Sequence, residues 1–425
     1  MNKKKTRYTV IGAGNGGKAM AAHLALMGFE VTLYNRTSEN IAAIQARGGI
    51  TLESEDPAGP RGFGHLARVT SDMRVAIENC DIAMIVTPAY AHYDIARKVA
   101  PFLQSEQVVV LNPGRTLGAI EFNRVLDQEG CKNGVTVAET QTFIYASRSD
   151  GPTQARIFRV KDAVPLAALP ATKTSSVLEI LASAYPQFID GGDVIQTGIN
   201  NIGAIFHPTI SILNAGWIEA TNGGFQFYLD GVTPTVAHLM EVLDRERVTV
   251  ASAVGVRAIT AREWLKMAYN ADGDNLHDAI HNHPGYRGIN APPTLTHRYI
   301  TEDIPMSLVP IASLGNHYGV SVRGMESIIR LACIAHQTDY WRRGRTLDRL
   351  GIKHLSVSEL TRYVTGRSTN PMPLHARHPK LAPISVFRVE HAREANSQRL
   401  LAQVPLDDED GSLSENILSK NPLQE

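Results

Sequence analysis

Cysteine is scarce in this chain of 425 residues: only Cys80, Cys131 and Cys333 occur, far apart and with no CxxC spacing. Three thiols cannot all pair, so a disulfide framework is excluded and reduced cysteines in a cytoplasmic protein are expected. Net charge is lacking as well, since 42 lysines and arginines face 42 aspartates and glutamates. No global field then favours nucleic acid or an anionic membrane, and neither is expected as a partner. Long apolar runs are also missing. After the basic start MNKKKTRY comes only YTVIGAG before glycine breaks the run. A membrane span needs about 20 apolar residues and a secretory leader needs an uninterrupted apolar stretch, so neither is predicted. What is present is ordinary. Hydrophobic residues make up 43% and charged residues 20%, the mix of a globular chain, and the length suits two domains plus a tail.

From residue 7 to about 145, short apolar runs alternate with helical stretches. YTVIGAG, EVTLYNR, CDIAMIVTPA, QVVVLNPG and GVTVAETQT read as strands, and GGKAMAAHLALMG and YAHYDIARKVAPFL as helices between them. Such alternation predicts an α/β domain with a doubly wound parallel sheet, a Rossmann domain spanning 1–184. Two short strands and a helix between 146 and 184 complete it. Beyond residue 185, three-to-four apolar spacing, as in VAHLMEVLDRERVTVASAVG and GMESIIRLACIAHQTDYWRRG, predicts an all-helical second domain over 185–370. Residues 371–425 are dominated by proline, acids and serine and are expected to form an irregular tail.

Gly12, Gly14 and Gly17 supply G-x-G-x-x-G, with Asn15 and Gly16 inside the same loop. Placed between a strand and a helix, these glycines allow a tight turn, close approach of pyrophosphate and close helix–sheet contact, while the helix amino end offers free N–H groups. In NAD sites an acidic residue about 20 residues further on accepts from the ribose 2′-hydroxyl. Here the second strand ends in Asn35 and Arg36, followed by Thr37 and Ser38. A carboxylate would repel a 2′-phosphate, whereas a guanidinium binds one, so NADP is favoured over NAD. Thr87, Pro88 and Glu139 lie at the carboxyl ends of later strands and are further cofactor candidates.

His207, in the apolar stretch NNIGAIFHPTISILNAG, would be an ordinary core histidine if taken alone. The stretch HRYITEDIPMSLVPIASLG puts Arg298, Glu302 and Asp303 ahead of another apolar segment. A buried carboxylate needs a partner, and a His–Asp pair would satisfy both groups. The segments VIGAGNGGKAMAAHLALMG, IVTPAYAH, AETQTFIYASR, IFHPTISILNAG and RYITEDIPMSLVPIASLG together resemble the opine dehydrogenases, the octopine/nopaline dehydrogenase family. The resemblance runs from residue 7 to about 365. It implies a Rossmann domain joined to an all-helical domain, with an active site in the cleft between them. It implies an NAD(P)-dependent reaction in which the amine of an amino acid condenses with a 2-oxo acid and the imine is reduced, or the reverse oxidation. By the same resemblance His207 matches the family's catalytic histidine and Asp303 its acidic partner. Arg298 and Arg323 are candidates for binding substrate carboxylate, and a homodimer through the helical domain is expected.

Other readings are weighed against this one. A ketopantoate-reductase-like or 2-hydroxy-acid dehydrogenase would use a lysine as general acid, for which Lys266 is available. A non-catalytic NADP(H)-binding regulatory protein would have no need of the His207–Asp303 pair. His277, His281 and His283 form a cluster, but no metal site is expected there; a loop over the cleft is preferred. The arginine-rich run YWRRGRTLDR reads as a solvated helix end.

Overall fold

Runs such as IAMI (82–85) and VVVL (108–111) are apolar at every position, which suits strands covered on both faces. In the computed structural model, which describes residues 6–367 apart from 58, 132 and 133, they lie in the middle of a sheet. The described strands are β1 (Arg7–Ile11), β2 (Glu30–Tyr34), β3 (Gly49–Ser54), β4 (Gly62–His65), β5 (Arg68–Thr70) and β6 (Ile82–Ile85). They continue with β7 (Val108–Leu111), β8 (Thr136–Thr140), β9 (Tyr145–Gly151), β10 (Gln154–Val160), β11 (Val164–Leu169) and β12 (Phe188–Asp190). Eight of them form one sheet in the order β12-β11-β8-β7-β6-β1-β2-β5. The six from β8 to β5 are parallel, as expected; β11 pairs antiparallel to β8 and carries β12 with it. The sheet thus extends to Asp190, past the boundary at 184 read from the sequence.

A second sheet, β4-β3-β10-β9, was not foreseen. Its strands mix glycine, serine and charged residues, as in GFGH and YASRSDG, and so lack a clean period of two. It packs against the first helix, Asn15–Leu26, where Lys18 donates to the Ser149 hydroxyl and the Gly151 carbonyl, both at 2.9 Å.

Alternate residues of the large sheet serve different cores. Val10, Met84, Val110 and Ala138 join the core beneath the Asn15–Leu26 helix. Ile11, Ile85, Leu111 and Val137 join a second core that continues without interruption through the helices from Val194 to Thr365. Each fully buried Val, Ile or Leu contributes roughly 1.5–3 kcal/mol, so this shared core holds the helices against the sheet firmly. The longest helix, Pro234–Ala253, starts with proline where no N–H is needed and is capped by Thr233. Among the described residues no helix is long and apolar enough to cross a membrane. The expected tail, 371–425, lies outside the described residues.

Candidate active site

Strands leave β1 in opposite directions, β2 on one side and β6 on the other. That switch point is where a parallel sheet opens a crevice at its carboxyl edge. The glycine loop lies there. A Cβ at Gly12, whose φ is +114°, would run into the Val86 carbonyl at the end of β6; one at Gly17 would run into the Gly12 carbonyl. Nothing lies within 4 Å of a Cβ at Gly14. The amides of Gly14, Asn15 and Gly16 donate to no described residue, and the helix that follows has no side-chain cap. Free donors at a helix amino end, beside an open glycine, fit a pyrophosphate. The Thr87 side chain abuts the same loop, its methyl 2.9 Å from where a Gly12 Cβ would stand, and its buried hydroxyl has no hydrogen-bond partner among the described residues.

Asn35 and Asn15 act differently from simple cofactor contacts. Asn35 Oδ1 accepts from the Ala13 amide (3.3 Å) and its Nδ2 donates to the Thr37 carbonyl (2.9 Å), bracing the glycine loop against the end of β2. Asn15 Oδ1 accepts from the Ser149 amide at 3.0 Å and ties that loop to β9. Arg36 is exposed and pairs with no described residue.

Across the crevice, His207 projects from the helix Gly203–Leu213 and Asp303 precedes a π-helical turn at Ile304–Leu308. Their side chains meet, Nδ1 to Oδ2 at 2.8 Å. Asp303 is fully buried. A carboxylate only accepts, so Nδ1 carries the proton and Nε2 presents its lone pair. The Tyr228 hydroxyl lies 3.1 Å from that Nε2, and burial pushes the Tyr228 pKa well up, so it stays a donor. Tyr299 stacks on the imidazole with ring centroids 4.2 Å apart and holds its plane.

Arg115 completes this cluster and was missed in the sequence. Its Nη1 lies 2.9 Å from Asp303 Oδ1 and its Nε 3.4 Å from Glu302 Oε1. Burial works against the Arg115 charge, but Asp303 and Glu302 outweigh it and raise the pKa. Burial likewise opposes ionisation of Glu302, yet Arg115, Arg298 and the Ala89 amide hold its carboxyl well below the usual range. Gly203 makes the approach possible: a Cβ there would stand 3.3 Å from both Arg115 Nη1 and His207 Cε1. The only sequence signal for Arg115 is its place just after NPG at a strand end.

The turn that carries Arg115 is held against its own preference, with φ of +59° at Arg115 and +61° at Leu117. Arg345 holds it. This residue, expected on a solvated helix end, is fully buried; it donates to the carbonyls of Gly114 (2.8 Å) and Thr116 (3.1 Å) on either side of Arg115. The arginine run is therefore in part an interior clamp, because a guanidinium has enough fixed donors to satisfy several buried acceptors at once.

The remaining candidates are dispersed. Arg298, half exposed, reaches Glu302 Oε2 at 2.9 Å and so borders the cluster. Arg323 is exposed at the start of its helix, and among the described residues no hydrogen bond or ion pair joins it to His207 or Asp303. Pro88 lies between the Thr87 hydroxyl and Ala89, whose amide donates to Glu302 Oε1 at 2.9 Å. Lys266 is exposed and paired with Asp272 at 2.6 Å, away from the dyad. Of the histidine cluster, His277 and His281 lie on a short helix, Leu276–His281, with His283 just past its end, and both ring nitrogens of His281 face backbone carbonyls, those of His277 and Leu229. Tyr286, just beyond, stacks on Tyr228 with centroids 4.0 Å apart.

Glu139, expected to face the cofactor, is instead fully buried. Its oxygens accept from the Ala119 amide (2.7 Å) and the Thr197 hydroxyl (2.8 Å), so it offers nothing to the crevice. Burial raises its pKa to about 7 against the pull of those two donors. The folded state therefore prefers the protonated form. Stability from this group is present at low pH and is lost as pH rises from the ordinary glutamate range through about 7. Glu139→Gln is expected to remove that loss, on the order of 3 kcal/mol above pH 8. Parallel melting curves of both proteins from pH 5 to 8.5 check it; curves that keep a constant separation contradict the assignment.

Residues 191–336 match the family described as NAD/NADP octopine/nopaline dehydrogenase, alpha-helical domain, and residues 8–116 match ketopantoate reductase PanE/ApbA. An opine dehydrogenase of Arthrobacter sp. (strain 1C) is 36% identical over 358 residues, 84% of this chain and 98% of the relative. Among solved structures, octopine dehydrogenase in complex with NADH and agmatine superposes with a TM-score of 0.72 at 20% identity, covering 87% of this chain and 100% of the other. Yersinopine dehydrogenase with NADP+ bound superposes with a TM-score of 0.65 at 15% identity, covering 84% and 95%.

Proposed function

The chain belongs to the octopine/nopaline dehydrogenase family, and from that premise we propose that it joins an amino acid to a 2-oxo acid by NAD(P)H-dependent reductive condensation, or oxidises the product. The observation that carries this reading is the 2.8 Å contact of His207 Nδ1 with Asp303, which leaves Nε2 as a proton acceptor and donor.

A bound nicotinamide would supply the hydride. The glycine loop, with the free amides of Gly14, Asn15 and Gly16, would hold the pyrophosphate. His207 moves the protons. Its Nε2 takes one from the amino acid's ammonium group, which frees the nitrogen lone pair to attack the oxo carbon. Two of the three ammonium protons leave with the carbonyl oxygen as water, and the remaining C=N bond is reduced to a secondary amine. Each time Nε2 is protonated, Asp303 stabilises the imidazolium without exchanging the proton itself. Tyr228 occupies Nε2 until substrate arrives and then donates to the oxo oxygen as it becomes negative during addition of the amine. Arg298, with one nitrogen on Glu302, uses its remaining donors for a substrate carboxylate. The reading as a 2-hydroxy-acid dehydrogenase would place a lysine in this role, and Lys266 is tied to Asp272.

The test is a screen of pyruvate, 2-oxoglutarate and glyoxylate against a panel of amino acids, following NADPH and then NADH oxidation. Oxidation that requires both partners supports the reading; oxidation with the oxo acid alone points to a hydroxy-acid dehydrogenase. NADP(H) is the proposed cofactor because Arg36, just past the end of β2, is exposed and pairs with no described residue. Arg36→Ala is expected to weaken NADPH binding about tenfold or more and NADH by less than about twofold. Equal losses for the two, measured by fluorescence titration, refute the 2′-phosphate contact. The expected homodimer is checked by light scattering.

A further inference from the structure

Lys161 follows β10, and its backbone amide donates to the Ile144 carbonyl at 2.9 Å, extending the β9–β10 ladder by one step. The side chain is thereby fixed opposite the loop that leaves β8 at the carboxyl edge of the large sheet. There Nζ donates to Thr142 Oγ1 at 2.6 Å. The neighbouring Gln141 reaches across to the Asn200 carbonyl (3.3 Å), so this loop lies where the sheet edge meets the helices.

Lys161 is half-buried and has no carboxylate partner among the described residues. Burial, then Arg115 and Arg159, push its pKa down to about 8. Both arginines already have counter-charges: Arg115 in Asp303 and Glu302, Arg159 in Asp162 at 2.8 Å. A hydrogen bond to Thr142 alone would not require a charge. An ammonium withdrawn from water beside two other cations is costly unless an anion joins it. No described residue supplies that anion, and the substrate brings one. A condensed amino acid and 2-oxo acid carries two carboxylates, and Arg298 accounts for one.

We propose that Lys161 binds a substrate carboxylate, holding one of the two on the amino acid–oxo acid adduct while Arg298 holds the other. The inference rests on the reductive-condensation reading above, and deepens it by assigning the second anionic group. It makes Lys161 a specificity-determining residue: the site selects partners that both carry a carboxylate.

Lys161→Gln tests this, because the amide keeps a donor for Thr142 and removes only the charge; Lys161→Met serves as a second variant should the first fold poorly. For a productive amino acid and oxo acid, kcat/KM is expected to fall about 30-fold or more. The measurement is repeated with a decarboxylated amine in place of the amino acid, and with an aldehyde in place of the oxo acid. With one of these truncated partners the variant and the wild type should agree within about twofold, since the group Lys161 would touch is gone. A similar loss with all three combinations, or no loss with the full pair, overturns the proposal. If the wild-type protein reduces no mixture, the oxidoreductase reading is what has failed. Calorimetric titration with 2,2′-iminodipropionate then decides on Lys161 by itself. Binding about tenfold weaker in the variant sustains the assignment, and equal or absent binding overturns it.

Discussion

Replacing His207 by alanine is expected to lower turnover by about 100-fold or more while NADPH binding stays near the wild-type level. The separation follows from the architecture. His207 stands on the helix Gly203–Leu213, whereas the free amides that would hold pyrophosphate belong to the loop after β1. Removing the imidazole also leaves Asp303 buried with Arg115 as its ion partner, so the carboxylate keeps a counter-charge and folding should survive. Steady-state rates and a nucleotide titration on the same preparation check both halves. Turnover near the wild-type level would remove His207 from the mechanism, and Tyr228 would then be the group to examine.

The largest effect on stability is expected at Arg345. Its Nε lies 2.8 Å from Glu121 Oε2, Nη1 serves the Gly114 and Thr116 carbonyls, and Nη2 serves the Ala89 carbonyl and His92 Nδ1. Burial, then the charge of Arg345, hold the His92 pKa far down, so its imidazole is neutral and Nδ1 can accept. Arg345→Met would leave the Gly114 and Thr116 carbonyls, His92 Nδ1 and one oxygen of Glu121 without their donor, and the Ala89 carbonyl with only the His92 amide; Arg349, 3.1 Å from the other Glu121 oxygen, compensates only in part. Breaking a buried ion pair from one side costs about 3–5 kcal/mol, and the same order is expected here by urea unfolding. A change under about 0.5 kcal/mol, the scale of surface substitutions, contradicts the clamp. The same variant should lose activity beyond its loss of folded protein, because the carbonyls on both sides of Arg115 are released together. Arg345→Lys should recover only part of either loss, since a single ammonium cannot serve so many divergent acceptors.

These two residues also mark how far the sequence could be read. His207 and Asp303 were legible because their flanking motifs are specific to a family and because a buried imidazole and carboxylate each need a partner. Arg345 reads as solvated because the four arginines of the ten-residue run YWRRGRTLDR look alike in sequence; whether one of them is interior depends on which acceptors the fold brings near. Glu139 misled for a related reason. Its position at the end of β8 placed it on the correct edge, but strand alternation turned its side chain to the Ala119 amide and the Thr197 hydroxyl.

By itself the sequence determined what depends on local periodicity and short motifs. The alternation of apolar runs with helices specified the parallel sheet, the glycines specified the tight turn between β1 and the first helix, and three-to-four spacing specified the helical half. Only the tertiary structure decided which polar groups face one another: Arg115 on Asp303, Tyr228 on His207, and Lys161 beside Thr142 with no acid partner among the described residues. The physical reason is range. Secondary structure is selected by neighbours within a few residues, whereas a buried polar group is settled by whatever partner the packing delivers from elsewhere in the chain.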